Sequence, residues 1–152
     1  SVIVALFDGE ESGLLGAKAF LAAPPVPVAK IIANVNLDMV GRNEKGELYA
    51  AGGTPNPALR PLIEATMAVA AVKLVPGHDS GASRDNWTNQ SDQGAFQAKG
   101  IPWVYFGVED HPDYHTPTDL PNRIEPGFFF RSAATIAEFV RRLDAAPPER
   151  PR

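Results

Sequence analysis

The chain has 152 residues, of which 44% are hydrophobic and 21% charged, with a formal net charge of −4. This is the length of one domain, able to bury about two-thirds of its unfolded surface. No basic run gives it the electrostatic footprint of a nucleic-acid binder, no apolar stretch approaches the ~20 residues of a membrane-spanning helix, and the absence of cysteine removes disulfides, thiolate metal sites and thiol nucleophiles together.

The chain opens with Ser1 and enters Val2-Ile3-Val4-Ala5-Leu6-Phe7, an apolar run that reads as a buried strand. It has no initiator Met, signal peptide or polar lead-in. The expectation is therefore that residues are missing upstream, with a processed N-terminus as the alternative. The turn Asp8-Gly9-Glu10-Glu11-Ser12-Gly13 then leads into a helix over residues 14–22, stopped by Pro24-Pro25. Residues 31–37 read as a second buried strand and 47–51 as a short one. Residues 57–72 have helical spacing, with Pro61 acceptable only in the first turn. Residues 77–89, rich in Gly, Ser, Asn and Asp, have no apolar period and read as a loop that is functional or mobile. A short helix over 92–99 closes at Gly100, residues 103–106 form a strand, a second polar loop runs to Glu125, and a helix covers 128–143. The domain is expected to end at residue 144, with 145–152 as a flexible tail. Strands separated by helices imply parallel pairing and an α/β sandwich.

In such sheets ligands bind at loops beyond the carboxyl ends of strands, and three of these loops carry unusual clusters. In the first, Glu10 and Glu11 are adjacent carboxylates whose side chains diverge at a strand end, so one can bind a cation while the other reaches a water on it. The alternative is that acids before a helix favour the positive end of its dipole. In the second, Asp38 ends an apolar strand, which is costly unless the carboxylate is paired or metal-bound; a turn-forming Asp capping local backbone is the other reading. The third, His111-Pro112-Asp113-Tyr114-His115-Thr116-Pro117-Thr118-Asp119, holds two of the three histidines beside acids that could orient an imidazole, although loop histidines are often merely solvated. Together Glu, Asp and His form the ligand palette of a hydrolytic zinc site.

The segment Val4-Ala5-Leu6-Phe7-Asp8-Gly9-Glu10-Glu11-Ser12-Gly13-Leu14-Leu15-Gly16 resembles the Glu-Glu segment of the co-catalytic dizinc aminopeptidases. That family includes secreted bacterial leucyl-type aminopeptidases, with glutaminyl cyclases and glutamate carboxypeptidases as relatives. Asn36-Leu37-Asp38-Met39-Val40-Gly41 is similar to its next metal segment. Ser91-Asp92, with Phe96 and Gly100-Ile101-Pro102, resembles the segment before its last core strand, and the loop from His111 to Asp119 its final ligand loop. The resemblance covers nearly the whole chain up to the tail, in the family's order. It implies a zinc-exopeptidase-like three-layer sandwich with a mostly parallel central sheet, lacking its N-terminal strands.

Carried over, the resemblance implies that Glu10 is the general base and that Tyr114 helps hold the oxyanion. Glu11 and His115 would be ligands to one zinc and Asp38 to the other, with peptides or N-terminal aminoacyl compounds as substrates. The family also contributes a His and a metal-bridging Asp from a segment well before the Glu-Glu motif, and nothing precedes Ser1 here. His78-Asp79-Ser80 is out of order as a replacement, Gln93 stands where the family usually has His, and Gln90 where Arg often precedes. Two zinc ions are thus expected in the complete enzyme, with weak or no binding and no hydrolysis by these residues alone. Self-association through exposed sheet surface is expected as well. Within enzymes the rivals are a glutaminyl cyclase or carboxypeptidase on the same scaffold; Tyr114 before His115 leans toward peptidase, because the cyclases tend to place Trp there. A non-catalytic interaction module that has lost its metals is the rival from another class. A secreted or periplasmic, bacterial setting is implied by the resemblance alone.

Overall fold

The computed structural model describes residues 1–81 and 85–148. Four strands, β1 (Asn34–Leu37), β2 (Glu47–Ala51), β3 (Lys73–Pro76) and β4 (Trp103–Gly107), form one sheet in the order β1-β4-β2-β3. The β1–β4 and β2–β3 pairs are parallel and β2–β4 is antiparallel, so two of the three pairings are parallel. Among the described residues four α-helices accompany them: α1 (Leu15–Ala22), α2 (Arg60–Met67), α3 (Gln93–Gln97) and α4 (Pro126–Ala145).

Side chains alternate across a strand, and β4 is buried on both faces. Val104 and Phe106 enter a core with Leu48, Leu74, Ile63 of α2 and Phe128, Ile136 and Phe139 of α4. Trp103 and Tyr105 point the other way, toward Ala51, Tyr49 and Trp87. On that side α1 and α3 pack through Ala17, Leu21, Ala95, Phe96 and Ile101. The sheet therefore lies between two helical layers. In α4 the buried residues Phe128, Ser132, Thr135, Ile136 and Phe139 recur at helical spacing along one stripe.

The opening segment corrects the sequence reading. Residues 2–7 form no strand; Val4 is 85% and Leu6 96% exposed. A buried strand needs a ladder partner and a covered face, and among the described residues neither is supplied. Only Phe7 turns inward, its ring 5.6 Å from Phe20 and 6.2 Å from Phe96. Strand β3 was not foreseen. Four residues ending in Pro76 are too few to show a period, and an edge position tolerates the missing N–H of proline. Helix α2 is shorter than its apolar spacing suggests, with Pro61 in its first turn. Of the expected tail, residues 149–152 lie outside the described residues.

Candidate functional site

Beyond the carboxyl ends of the parallel neighbours β1 and β4 lies an open cleft of about 250 Å³. Glu10, Glu11, Asp38, Tyr114 and His115 all line it, together with Met39, Trp87, Gln90, Tyr105, Val108, Asp110 and Asp119. The three loops singled out in the sequence therefore meet at one sheet edge.

The Glu-Glu loop is built from backbone bonds that do not engage the Glu10 and Glu11 carboxylates. Gly13 and Leu14 N–H donate to the Glu10 carbonyl at 2.9 and 2.8 Å, and Gly16 N–H donates to the Asp8 carbonyl at 2.8 Å. A side chain on Gly16 would meet that carbonyl at 2.6 Å, so only glycine lets α1 start so close to the loop. Helix α1 begins at Leu15 with no acid in its first turn, so the two glutamates stand before the helix rather than within it. Burial, then the charges of Glu11, Asp38 and Asp92, raise the Glu10 pKa, with His115 opposing.

Asp38 follows the last residue of β1. Its Oδ2 accepts a hydrogen bond of 2.9 Å from the Ser91 hydroxyl, 53 residues away, rather than capping local backbone. Asn36 Nδ2 donates to Ser91 Oγ at 2.9 Å and to Gln93 Oε1 at 2.8 Å, and Gln93 Nε2 donates to the Trp87 carbonyl at 2.6 Å. Gln93, where the resemblance expects histidine, is thus fully buried with both ends of its amide paired. Behind this network Asp92 is 9% exposed, and its Oδ1 is buried with no hydrogen-bond partner. Burial and the charge of Asp38 raise its pKa.

The third loop is held from outside the cleft. Arg42 donates at 2.7 Å to Asp113 Oδ2 and lies 2.7 Å from His111 Nδ1, with Asp119 Oδ1 at 3.6 Å. Because guanidinium has only donors, His111 Nδ1 must accept. The first histidine of the motif thus belongs to the clamp. Thr118 donates to Asp113 Oδ1, and this bond with that of Arg42 lowers the Asp113 pKa. So anchored, the loop brings His115 Nε2 to 2.8 Å from Glu11 Oε1, with the Tyr114 ring stacked on the imidazole at 3.8 Å. Burial, followed by Asp110, Glu11, Asp38 and Glu10, raises the Tyr114 pKa. Met39 (φ 56°) and His115 (φ 55°) both adopt left-handed backbone. Such conformations are uncommon for residues other than glycine and cluster at functional sites.

His78 and Asp79 serve other ends. The His78 ring stacks on Trp87 at 3.7 Å, while Asp79 Oδ2 accepts from the N–H groups of Gly52 and Thr54 at 2.8 and 2.9 Å. Sequence reasoning missed Trp87, Tyr105, Asp110 and the clamp role of Arg42. The two aromatics were legible only as loop and core residues; Arg42, inside the polar turn expected over residues 41–46, carried no period.

The donor set fits zinc in kind but is incomplete. Glu11 and His115 converge from two loops and Asp38 stands at a neighbouring strand end. Among the described residues no group of three or more His, Cys, Asp or Glu could hold a metal ion. Catalytic zinc ordinarily takes three protein ligands, more than the pair formed by Glu11 and His115 supplies.

Solved structures resemble the fold closely. An aminopeptidase from Aneurinibacillus sp. strain AM-1 has a TM-score of 0.68 at 25% identity, covering 94% of this chain and 33% of its own. A zinc aminopeptidase from Bacillus subtilis gives 0.70 at 22%, covering 91% and 34%, and LapA aminopeptidase of Legionella pneumophila 0.67 at 18%, covering 92% and 38%. The chain thus spans about a third of the length of each. No curated protein sequence matches it. Residues 1–140 match Peptidase family M28, and with that match over most of its length the chain belongs to this peptidase family.

Proposed function

We propose that this chain carries the general base, an oxyanion-stabilising hydroxyl and part of the metal-ligand set of a zinc-dependent aminopeptidase. The observation that carries the reading is the meeting of Glu10, Glu11, Asp38, Tyr114 and His115 in one cleft. Glu11 with His115 would hold one ion and Asp38 a second. The chemistry zinc supplies when bound is polarisation of a carbonyl and acidification of water.

The Glu10 carboxylate takes the proton of the attacking water and returns it to the amine nitrogen that leaves. Its raised pKa suits a group that must accept and then release a proton. Tyr114 keeps its phenolic proton, its pKa being raised, and donates to the oxygen that gains charge. Five carboxylates line the cleft: Glu10, Glu11, Asp38, Asp110 and Asp119. Asp110, which the proposal assigns to no ion, would attract the free ammonium of a peptide N-terminus, favouring aminopeptidase over carboxypeptidase action. The same acidic lining supports a working site over a module that only binds partners. Export from a bacterial cell belongs to the proposal and rests on the resemblance alone.

With a pair and a single ligand rather than a full set, the 152 residues bind zinc weakly and hydrolyse nothing alone. Zinc titration followed by an aminoacyl-nitroanilide assay tests this. Weak binding without turnover is expected, and tight binding of two ions with turnover would refute it.

A further inference from the structure

Glu11 and His115 hold each other across an exposed rim, whereas Asp38 is fixed from behind by a chain of buried groups with a defined direction. Asn36 Nδ2 can only donate, and its two protons go to Ser91 Oγ and Gln93 Oε1. Ser91 Oγ is therefore an acceptor toward Asn36, and its single hydrogen is left for Asp38 Oδ2. That bond engages one carboxylate oxygen. The far end of the chain is equally directed: Gln93 Oε1 is taken by Asn36, so its amide nitrogen must donate, and it does so to the Trp87 carbonyl. Trp87 lines the same cleft as Asp38. One buried amide thus ties a proposed ion ligand to an aromatic wall contributed by a loop some fifty residues further along the chain.

We propose that Gln93, acting through Asn36 and Ser91, is a positioning residue that sets the Asp38 carboxylate for a divalent cation and fixes Trp87 in register with it. The proposal rests on the reading of Asp38 as an ion ligand. Gln93 touches neither cation nor substrate. It reaches the cleft by two routes: Asn36 and Ser91 to the carboxylate, and a direct bond to the backbone of Trp87. All three relay groups are buried, with Asn36 8%, Ser91 2% and Gln93 0% exposed, so water cannot substitute for a missing partner and the bonds keep their strength. Gln93 packs from the first residue of α3, and α3 rests on β1 and β4; the relay is anchored on the sheet rather than on a surface loop.

The test uses the 152-residue chain and Co²⁺ as probe, followed by its visible absorption and by calorimetric titration. Ser91→Ala cuts the route to Asp38 alone, Gln93→Leu cuts both routes, and Glu11→Gln weakens a ligand outside the relay. Thr66→Val, which deletes a buried hydroxyl of α2 bonded to the Leu62 carbonyl, controls for lost stability. Ser91→Ala and Gln93→Leu are each expected to weaken Co²⁺ binding about tenfold or more, the usual effect of removing a ligand's supporting partner. Thr66→Val leaves affinity unchanged. The Trp87 indole N–H resonance should move in Gln93→Leu and stay in Ser91→Ala, a split that general destabilisation cannot produce. If Gln93→Leu does not fold, Ser91→Ala still decides. Unchanged affinity in Ser91→Ala, with Glu11→Gln weakened, overturns the relay and leaves the zinc reading standing. A folded wild-type chain that takes no Co²⁺ at millimolar concentration overturns the relay as a device that sets a cation ligand in these residues.

Discussion

The two sides of the cleft are built differently. On the Asp38 side every supporting group is buried and bonded in sequence, and the carboxylate arrives on the end of a sheet strand. On the opposite rim Glu11 and His115 are 72% and 54% exposed and pair with each other, the Tyr114 ring stacked on the imidazole, carried by two loops, one of them with a left-handed histidine. Rigid elements position a group more closely than loops can. The inner side is therefore preorganised by the fold, while the outer side depends on the Arg42 clamp and on what it binds. The difference teaches where perturbation should spread: inward changes should cost fold and site together, outward changes the site alone.

The largest effect should come from the base of the inner side. Phe106 is fully buried, its ring 5.3 Å from Phe139 of α4, and its neighbour Gly107 brings β4 against Asp38, where an added side chain would meet the Asp38 carbonyl at 2.9 Å. Phe106→Ala should cost about 3–5 kcal/mol in urea unfolding. A loss below about 1 kcal/mol would show that the core relaxes around the cavity and that the inner side is not the rigid one.

Next comes the clamp on the outer side. Arg42→Ala removes the donor shared by His111 and Asp113 but leaves the sheet intact. Amide exchange across residues 111–119 should quicken by roughly tenfold or more while exchange in β4 holds, because loop opening is local. Uniform acceleration would erase the distinction between the two sides.

A smaller effect separates them by pH. The bonds from Thr118 and Arg42 hold Asp113 below its ordinary 3.8. A depressed carboxyl stabilises the fold above its unfolded pKa and loses that contribution as pH falls through the folded value. The loop should thus loosen below about pH 4, measured by the Tyr114 and Thr116 amide signals. Asp113→Asn should flatten that dependence; an unaltered profile would place its origin elsewhere.

How much of this was legible follows the same division. Glu10, Glu11, Asp38, Tyr114 and His115 could be picked out because polar residues interrupt apolar runs where strands end, and because their order resembles a known family. Strand β2 was readable to the residue, Glu47–Ala51, as a short segment directly after a polar turn. Gln93, Asn36 and Trp87 were not legible as a unit, since hydrogen bonds between residues 57 positions apart leave no local period. Residues 2–7 misled for the opposite reason: apolar composition records what a segment can bury, not whether a partner lies beside it.

That last segment supplies the smallest effect on stability and a separate effect on association. Leu6 is 96% exposed, so Leu6→Ser removes almost no buried surface and should shift the unfolding free energy by less than about 0.5 kcal/mol. The exposed apolar stretch Val2-Ile3-Val4 and Leu6 lies on a chain whose edge strand β1 pairs on one side only, and such edges accept further strands. The wild-type chain should therefore self-associate with rising concentration in light scattering, and Leu6→Ser combined with Val4→Lys should shift it toward monomer with an unchanged urea midpoint. A wild-type chain that stays monomeric throughout would mean that residues 2–7, although exposed, are held too irregularly to template a partner.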